Sequence, residues 1–191
     1  MTFRNEEKLN IDRNKINLFK KYLKKNNSIK IFKSRLVRSI YFDNINFEMY
    51  QNSIEGLVPR KKIRIRNYPE SIDEILLEKK ISSAEGRYKT SKKIKDLSFL
   101  NKGIVDKDYG RCNPVSEVNF LRSYYLVDNI RITIDENIFY QKYNNHRKHN
   151  ENLVVAELKY PNNFSKDRVE ELFPFTRIRF SKYCNSIEKC Y

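Results

Sequence analysis

Lys62, Arg64 and Arg66 occupy every second position of the stretch PRKKIRIRNY, with Ile63 and Ile65 between them. In an extended chain successive side chains point to opposite faces, so this period puts three cations on one face and the isoleucines on the other. If the isoleucines pack inward, the cations form a solvated surface, the ordinary arrangement of a sheet with one wet side. If the cations point inward, the chain has built a basic cavity that needs an anion to fill it.

The same alternation returns elsewhere. Glu6 and Lys8, Glu78 and Lys80, and Glu157 and Lys159 each form a Glu-x-Lys pair, and RITID adds Arg131, Thr133 and Asp135. The opposite faces carry Leu77, Ala156 and Leu158, or Ile132 and Ile134. An open sheet displays such faces to water, whereas a closed barrel turns them inward and buries its apolar outer face under helices. Pattern alone leaves both arrangements open.

Further strands are predicted over 29–43, 59–68, 74–82, 86–95, 116–127, 130–140, 152–160 and 175–180. DRNKINLFKKYLKKNN reads as a helix, with Asp12 as N-cap and Ile16, Phe19, Tyr22 and Leu23 on one face. INFEMYQNS reads as a short helix, 165–172 as another, and the C-terminal tail as helical. The expected class is mainly β (α+β), antiparallel, with flanking helices. No repeat or compositional break appears, so residues 1–191 are expected to form a single domain.

Lys and Arg total 39 against 24 Asp and Glu, a formal charge of +15 that favours polyanions. Cys112, Cys184 and Cys190 have no close CxxC spacing, which points away from a disulfide framework or thiolate metal site and toward a reduced, cytoplasmic protein. No run approaches the ~20 apolar residues of a membrane helix, so a membrane partner would be met from outside. A Walker-type loop is absent, as are RNP-like and zinc-finger patterns, and no specific nucleic acid partner is expected. His146 and His149, amid Asn, Arg and Lys, read as a solvated loop, and Cys184 reads as a packed thiol.

RSIYFDN, KIRIRNY, LEKK, IRITIDENI, VVAELKYP and FSKYC, in this order, resemble the VTC domain of polyphosphate polymerases, a branch of the triphosphate tunnel metalloenzymes. The resemblance runs from FRNEEKL to FSKYC and implies an eight-stranded antiparallel β-barrel forming a tunnel whose basic lining holds a triphosphate. It therefore implies inward-facing cations. By motif the phosphate ligands would be Lys8, Arg38, Arg64, Arg66, Lys80, Lys89, Arg122, Arg131, Lys159 and Lys182, with Ser181 as a donor. Arg64, Arg66, Lys159 and Lys182 would carry the catalysis. Glu157 matches the family's metal-binding glutamate, with Glu6 and Glu78 as further candidates for Mg2+ or Mn2+, ions that suit hard oxygen ligands.

The implied activity is metal-dependent transfer of the γ-phosphoryl group of ATP to phosphate or a polyphosphate end. Hydrolysis of inorganic or organic triphosphate is the alternative within the enzymes, and a non-catalytic polyphosphate-binding module the alternative outside them. The sequence departs from the family where Phe120 replaces the usual Tyr two residues before Arg122, and where SKYCNSI lacks the Gly often found after SKY. The SPX domain and membrane segment of eukaryotic members are not seen in these 191 residues, so this chain is not expected to translocate product alone.

Overall fold

Segments with a two-residue period become strands and those with a helical stripe become helices in the computed structural model, which describes residues 4–191. The elements are β1 (Arg4–Asp12), α1 (Ile16–Lys25), β2 (Ile29–Asp43), α2 (Glu48–Glu55), β3 (Arg60–Tyr68), β4 (Ser71–Ser83) and β5 (Gly86–Lys93). There follow α3 (Phe99–Lys102), β6 (Ile104–Asp106), β7 (Gly110–Val127), β8 (Ile130–Lys142) and β9 (His149–Asn150). The chain ends with β10 (Leu153–Pro161), α4 (Lys166–Leu172) and α5 (Lys182–Cys190). Eight strands make one hydrogen-bonded path, β1-β10-β8-β7-β2-β3-β4-β5, with β6 joined to β7 and β9 to β8. The mainly β, antiparallel architecture with few flanking helices is thus as expected.

Local chemistry explains several boundaries. Asp12 accepts from the Asn14 N–H and caps a 3-10 turn, Arg13–Lys15, that leads into α1, so the helix proper starts later than its cap suggested. Asp128 and Asn129 take positive φ angles of 47° and 63°, the left-handed pair that lets two residues join β7 to β8. The strand expected over 175–180 does not form. Only an isolated bridge between Leu9 and Arg177 remains, because the Arg177 guanidinium donates to the Phe173 and Phe175 carbonyls and to Glu7. The short elements α3, β6 and β9 were not anticipated.

The chain packs as two compact units. The first takes the chain up to Arg35 with Phe120–Ile138 and Glu151–Phe180, and the second takes Leu36–Asn119, Phe139–Asn150 and Ser181–Tyr191. In the first unit, Leu9 and Ile11 of β1, Ile132 and Ile134 of β8, and Ala156 and Leu158 of β10 form one apolar layer. Phe19 and Leu23 of α1 and Val169 of α4 pack in the same cluster. The charged alternates of these strands are left to the other face.

In the second unit, buried Ile40, Phe42, Ile63, Ile65 and Met49 form the apolar interior. Asp43, at the end of β2, is almost wholly enclosed and accepts from the backbone N–H groups of Asn44, Met49 and Tyr50 and from the Tyr183 hydroxyl. One carboxylate therefore ends a strand, starts α2 and anchors α5. Asp43→Ala should lower unfolding free energy by about 3 kcal/mol, because it strands several buried donors at once. Urea denaturation measures this, and a loss below about 0.5 kcal/mol, typical of an unremarkable surface change, would refute the anchoring role.

Candidate functional site

The registers of β3 with its neighbours show which way the opening cations face. Arg64 stands opposite Tyr41 on β2 and Glu78 on β4, and Lys62 stands opposite Lys80, which in turn stands opposite Lys89 on β5. Opposed residues share a face, so Lys62, Arg64, Arg66, Glu78, Lys80 and Lys89 lie together. The isoleucines are buried on the reverse face, yet the cation face is not an ordinary wet surface either. The Arg66 side chain is only 12% exposed and that of Glu78 only 3%. The cation face of β3 is thus part-buried, most deeply around Arg66 and Glu78.

Glu78 is the hub of this cluster. It pairs with Arg64 Nε at 2.7 Å, Arg66 Nη2 at 3.4 Å and Lys89 Nζ at 2.5 Å. Burial raises its carboxyl pKa, but the charges and hydrogen bonds of Arg64 and Lys89 outweigh burial and hold it below the ordinary 4.5. Its contribution to stability is therefore complete above pH 4.5 and is lost as pH falls through the lower folded-state value. Cations still exceed carboxylates here, and Arg66 Nε is buried without a hydrogen-bond partner.

The N-terminus of α5 completes the second unit's cluster. Ser181 caps the helix by accepting from the Cys184 N–H, and its hydroxyl also receives Lys62 Nζ at 2.9 Å. Lys182 follows at the first helical position, where the helix dipole adds positive potential. The Tyr183 ring stacks on Tyr41 at 5.1 Å, and Arg64 Nη1 donates to the Tyr41 hydroxyl at 3.0 Å. Burial would raise the Tyr41 pKa, yet Arg64, Lys182 and Lys62 together bring it below the ordinary 10.0. Tyr41 thus reports a strong positive field.

The first unit carries a more balanced cluster. Glu6 stands opposite Lys159, and Lys8 opposite Glu157, so acids and bases alternate between β1 and β10. Lys159 Nζ lies 2.8 Å from Glu157 and 3.7 Å from Glu6, while Lys8 donates to the Phe180 carbonyl at 2.6 Å. Burial raises the Glu157 pKa, but Lys159, Arg122 and Lys8 drive it well below the usual carboxylate range. Arg122 grips Asp135 with two bonds of 2.6 and 2.7 Å and lies 5.1 Å over the Phe120 ring. Arg131 stands opposite Lys159, with its Nε buried and unpartnered.

The sequence-predicted residues therefore gather into two groups, one in each unit. Lys8, Arg122, Arg131, Lys159, Glu6 and Glu157 belong to the first; Arg64, Arg66, Lys80, Lys89, Ser181, Lys182 and Glu78 belong to the second. Arg38 joins neither cluster. It stands opposite Asn67 and so shares the face of Ile63 and Ile65, away from Arg64 and Arg66, and it pairs with Glu117 at 2.5 Å. Sequence reasoning left out Lys62 and Tyr41; the same-face spacing of Lys62 with Arg64 was the available signal. His146 is exposed and His149 half-buried. Among the described residues no group of three or more His, Cys, Asp or Glu side chains is arranged to hold a metal ion.

The model of the VTC domain family matches residues 3–108 and 101–191. No curated protein matches the chain. Among solved structures, a Pyrococcus horikoshii OT3 protein is similar with a TM-score of 0.60 at 16% identity, over 98% of this chain and 99% of its own. An adenylyl cyclase candidate from Hippeastrum, described as revealing a dominant triphosphatase activity, has a TM-score of 0.60 at 15% identity, over 97% and 96%. An adenylate cyclase candidate from Vibrio parahaemolyticus has a TM-score of 0.60 at 14% identity, over 98% of each chain. At these identities the likeness is one of fold.

Ultraviolet titration tests the field at the second cluster. The earliest phenolate step should fall below the ordinary 10.0, disappear in Tyr41→Phe, and move upward when tripolyphosphate is added. Persistence of that step in Tyr41→Phe would disprove the assignment.

Proposed function

The chain belongs to the VTC domain family, and on that premise we propose that it is a metal-dependent polyphosphate polymerase. It binds ATP by its triphosphate and transfers the γ-phosphoryl group to phosphate or a polyphosphate end. The bond from γ-phosphorus to the β–γ bridging oxygen breaks, a bond forms to an acceptor phosphate oxygen, and ADP leaves with the electron pair. The observation that carries the reading is that two guanidinium donors within the clusters, Arg66 Nε and Arg131 Nε, are buried without a hydrogen-bond partner on strands already crowded with cations; Arg38 Nε and Arg177 Nη2, outside the clusters, share that state. Each such donor calls for an acceptor oxygen, which a phosphate group supplies.

Phosphoryl transfer requires mainly positioning and charge stabilisation. In this proposal Arg64 and Arg66 hold phosphate oxygens through their planar forks, with Lys62, Lys80 and Lys89 adding point charges. Ser181 and Lys182 present a hydroxyl and an ammonium at the start of α5. In the first unit Lys8, Lys159, Arg122 and Arg131 form that unit's own positive cluster. Arg38 is left out of this set, since it faces away from Arg64.

In this proposal a divalent ion is held in the first unit. Glu157 and Glu6 converge on the Lys159 ammonium, and two carboxylates completed by phosphate oxygens and water are a donor set that Mg2+ or Mn2+ accepts. When bound, the ion would neutralise charge on phosphate oxygens. Glu78, held by three cations, is assigned to arranging arginines rather than to the metal. ATP, phosphate and polyphosphate are the proposed partners and the cytoplasm the proposed location.

Triphosphate hydrolysis is the second reading, favoured by the activity described for the Hippeastrum relative in fold. Water then replaces phosphate as acceptor. Incubation with ATP and Mg2+ or Mn2+, followed by 31P NMR, separates the readings. Internal-phosphate signals with ADP support the polymerase, free phosphate without chains supports the hydrolase, and no turnover with retained polyphosphate binding leaves a binding module. Replacing both Arg64 and Arg66 by Ala should weaken tripolyphosphate binding about 100-fold, as expected for losing two charged hydrogen-bonding groups. Glu157→Gln should abolish metal-dependent turnover while sparing most polyanion binding, and full activity in that variant would remove it as a metal ligand.

A further inference from the structure

Arg38 stands beside a hollow on the reverse face of the second unit's sheet. The hollow holds about 450 Å³, within the range of small-molecule pockets. Ile40, Ile65, Ile75, Leu97 and Leu100 supply its apolar surface, which suits the faces of a planar ring. The polar side is formed by Arg38, Glu117, Asn67, Gln141 and Asn145.

Charge in this hollow differs from that on the opposite face. Glu117 is 6% exposed, and its carboxylate is bound by Arg38 Nη2 at 2.5 Å and by Asn119 Nδ2 at 2.8 Å. The Arg38 charge is matched by one carboxylate while its Nε stays buried without a hydrogen-bond partner, so the pair offers an N–H donor but no net charge to draw a bare polyphosphate. Each carboxylate oxygen retains a further acceptor site, and the amides offer both donors and acceptors. The surroundings match a flat, uncharged, hydrogen-bonding ring with adjacent N–H donors.

We propose that this hollow is a nucleoside site that prefers guanine, with Glu117 accepting from the base N1–H and 2-amino groups while the aliphatic side chains cover its faces. Two adjacent donors on a rigid ring reproduce the fork by which a guanidinium meets a carboxylate. The site is separate from the phosphate-binding cations, because Ile65 and Asn67 point away from Arg64 and Arg66 on the same strand. It does not depend on the phosphoryl-transfer reading. Occupancy would press on β3 from behind, through Ile65, at the point where that strand carries both arginines.

Titration with nucleosides lacking phosphate removes any contribution from the basic clusters. Methyl NMR on the full chain should show saturable shifts of Ile75, Leu97 and Leu100 with guanosine. Inosine, which lacks the 2-amino group, should bind about tenfold more weakly, and uridine more weakly still. Glu117→Gln keeps size and a carbonyl partner for Arg38, and should cost guanosine about tenfold in affinity. Replacing Arg64 and Arg66 by Ala should leave guanosine binding intact. Absence of saturable shifts in the unaltered protein, equal binding of guanosine and uridine, unchanged affinity in Glu117→Gln, or loss of binding on replacing Arg64 and Arg66 would each overturn the proposal.

Discussion

A guanidinium drawn away from water needs a carboxylate beside it, and Glu78 meets that need for Arg64 and Arg66 together with Lys89. Removing one partner from such a set leaves uncompensated charge in a poorly solvated place, which is far more costly than losing an exposed ion pair. The arginines are thereby held in fixed directions before any ligand arrives. Preorganised charge of this kind needs little rearrangement when an anion enters. The first unit repeats the device with Asp135 under Arg122 and Glu157 beside Lys159.

The two-residue period lets one strand serve two purposes. Ile63 and Ile65 contribute to the apolar interior while their immediate neighbours form the basic cluster, so tight packing on one face fixes the aim of side chains on the other. In the first unit Leu158 and Ala156 do the same for Lys159 and Glu157. A register slip by one residue would exchange the two sets entirely. The packing of the core is consequently also the specification of the site.

Much of this was legible in the sequence, because alternation is a local property. KIRIR and AELK announce which residues share a face without any knowledge of their partners. What a single strand does not reveal is how its phase relates to that of the next strand. Arg38 belongs to a motif that resembles the family's, yet the pairing of β2 with β3 turns it toward Asn67 and Glu117. The misplaced strand over 175–180 has a similar origin. Its alternation is genuine, and Asn10 and Ile178 N–H groups still bond across to Thr176 and Lys8, but the pairing stops at one bridge where Arg177 donates to the local Phe173 and Phe175 carbonyls and to distant Glu7. Lys62 shares the alternation of Arg64 and Arg66 but is not among the phosphate ligands that the resemblance implies, so its place in the cluster is legible from face sharing alone.

The anchoring of α5 by Asp43 and Tyr183 carries a consequence for the order in which the protein is made. The strands bearing Arg64, Glu78 and Lys89 leave the ribosome well before Ser181, Lys182 and Tyr183. Until α5 docks, Tyr41 has no ring stacked upon it, and Lys62 has no hydroxyl to meet. A nascent second unit therefore offers cations whose surroundings are unfinished, and α5 converts a merely basic sheet into an ordered cluster of charge. Ordering of the cluster is thus tied to the arrival of α5.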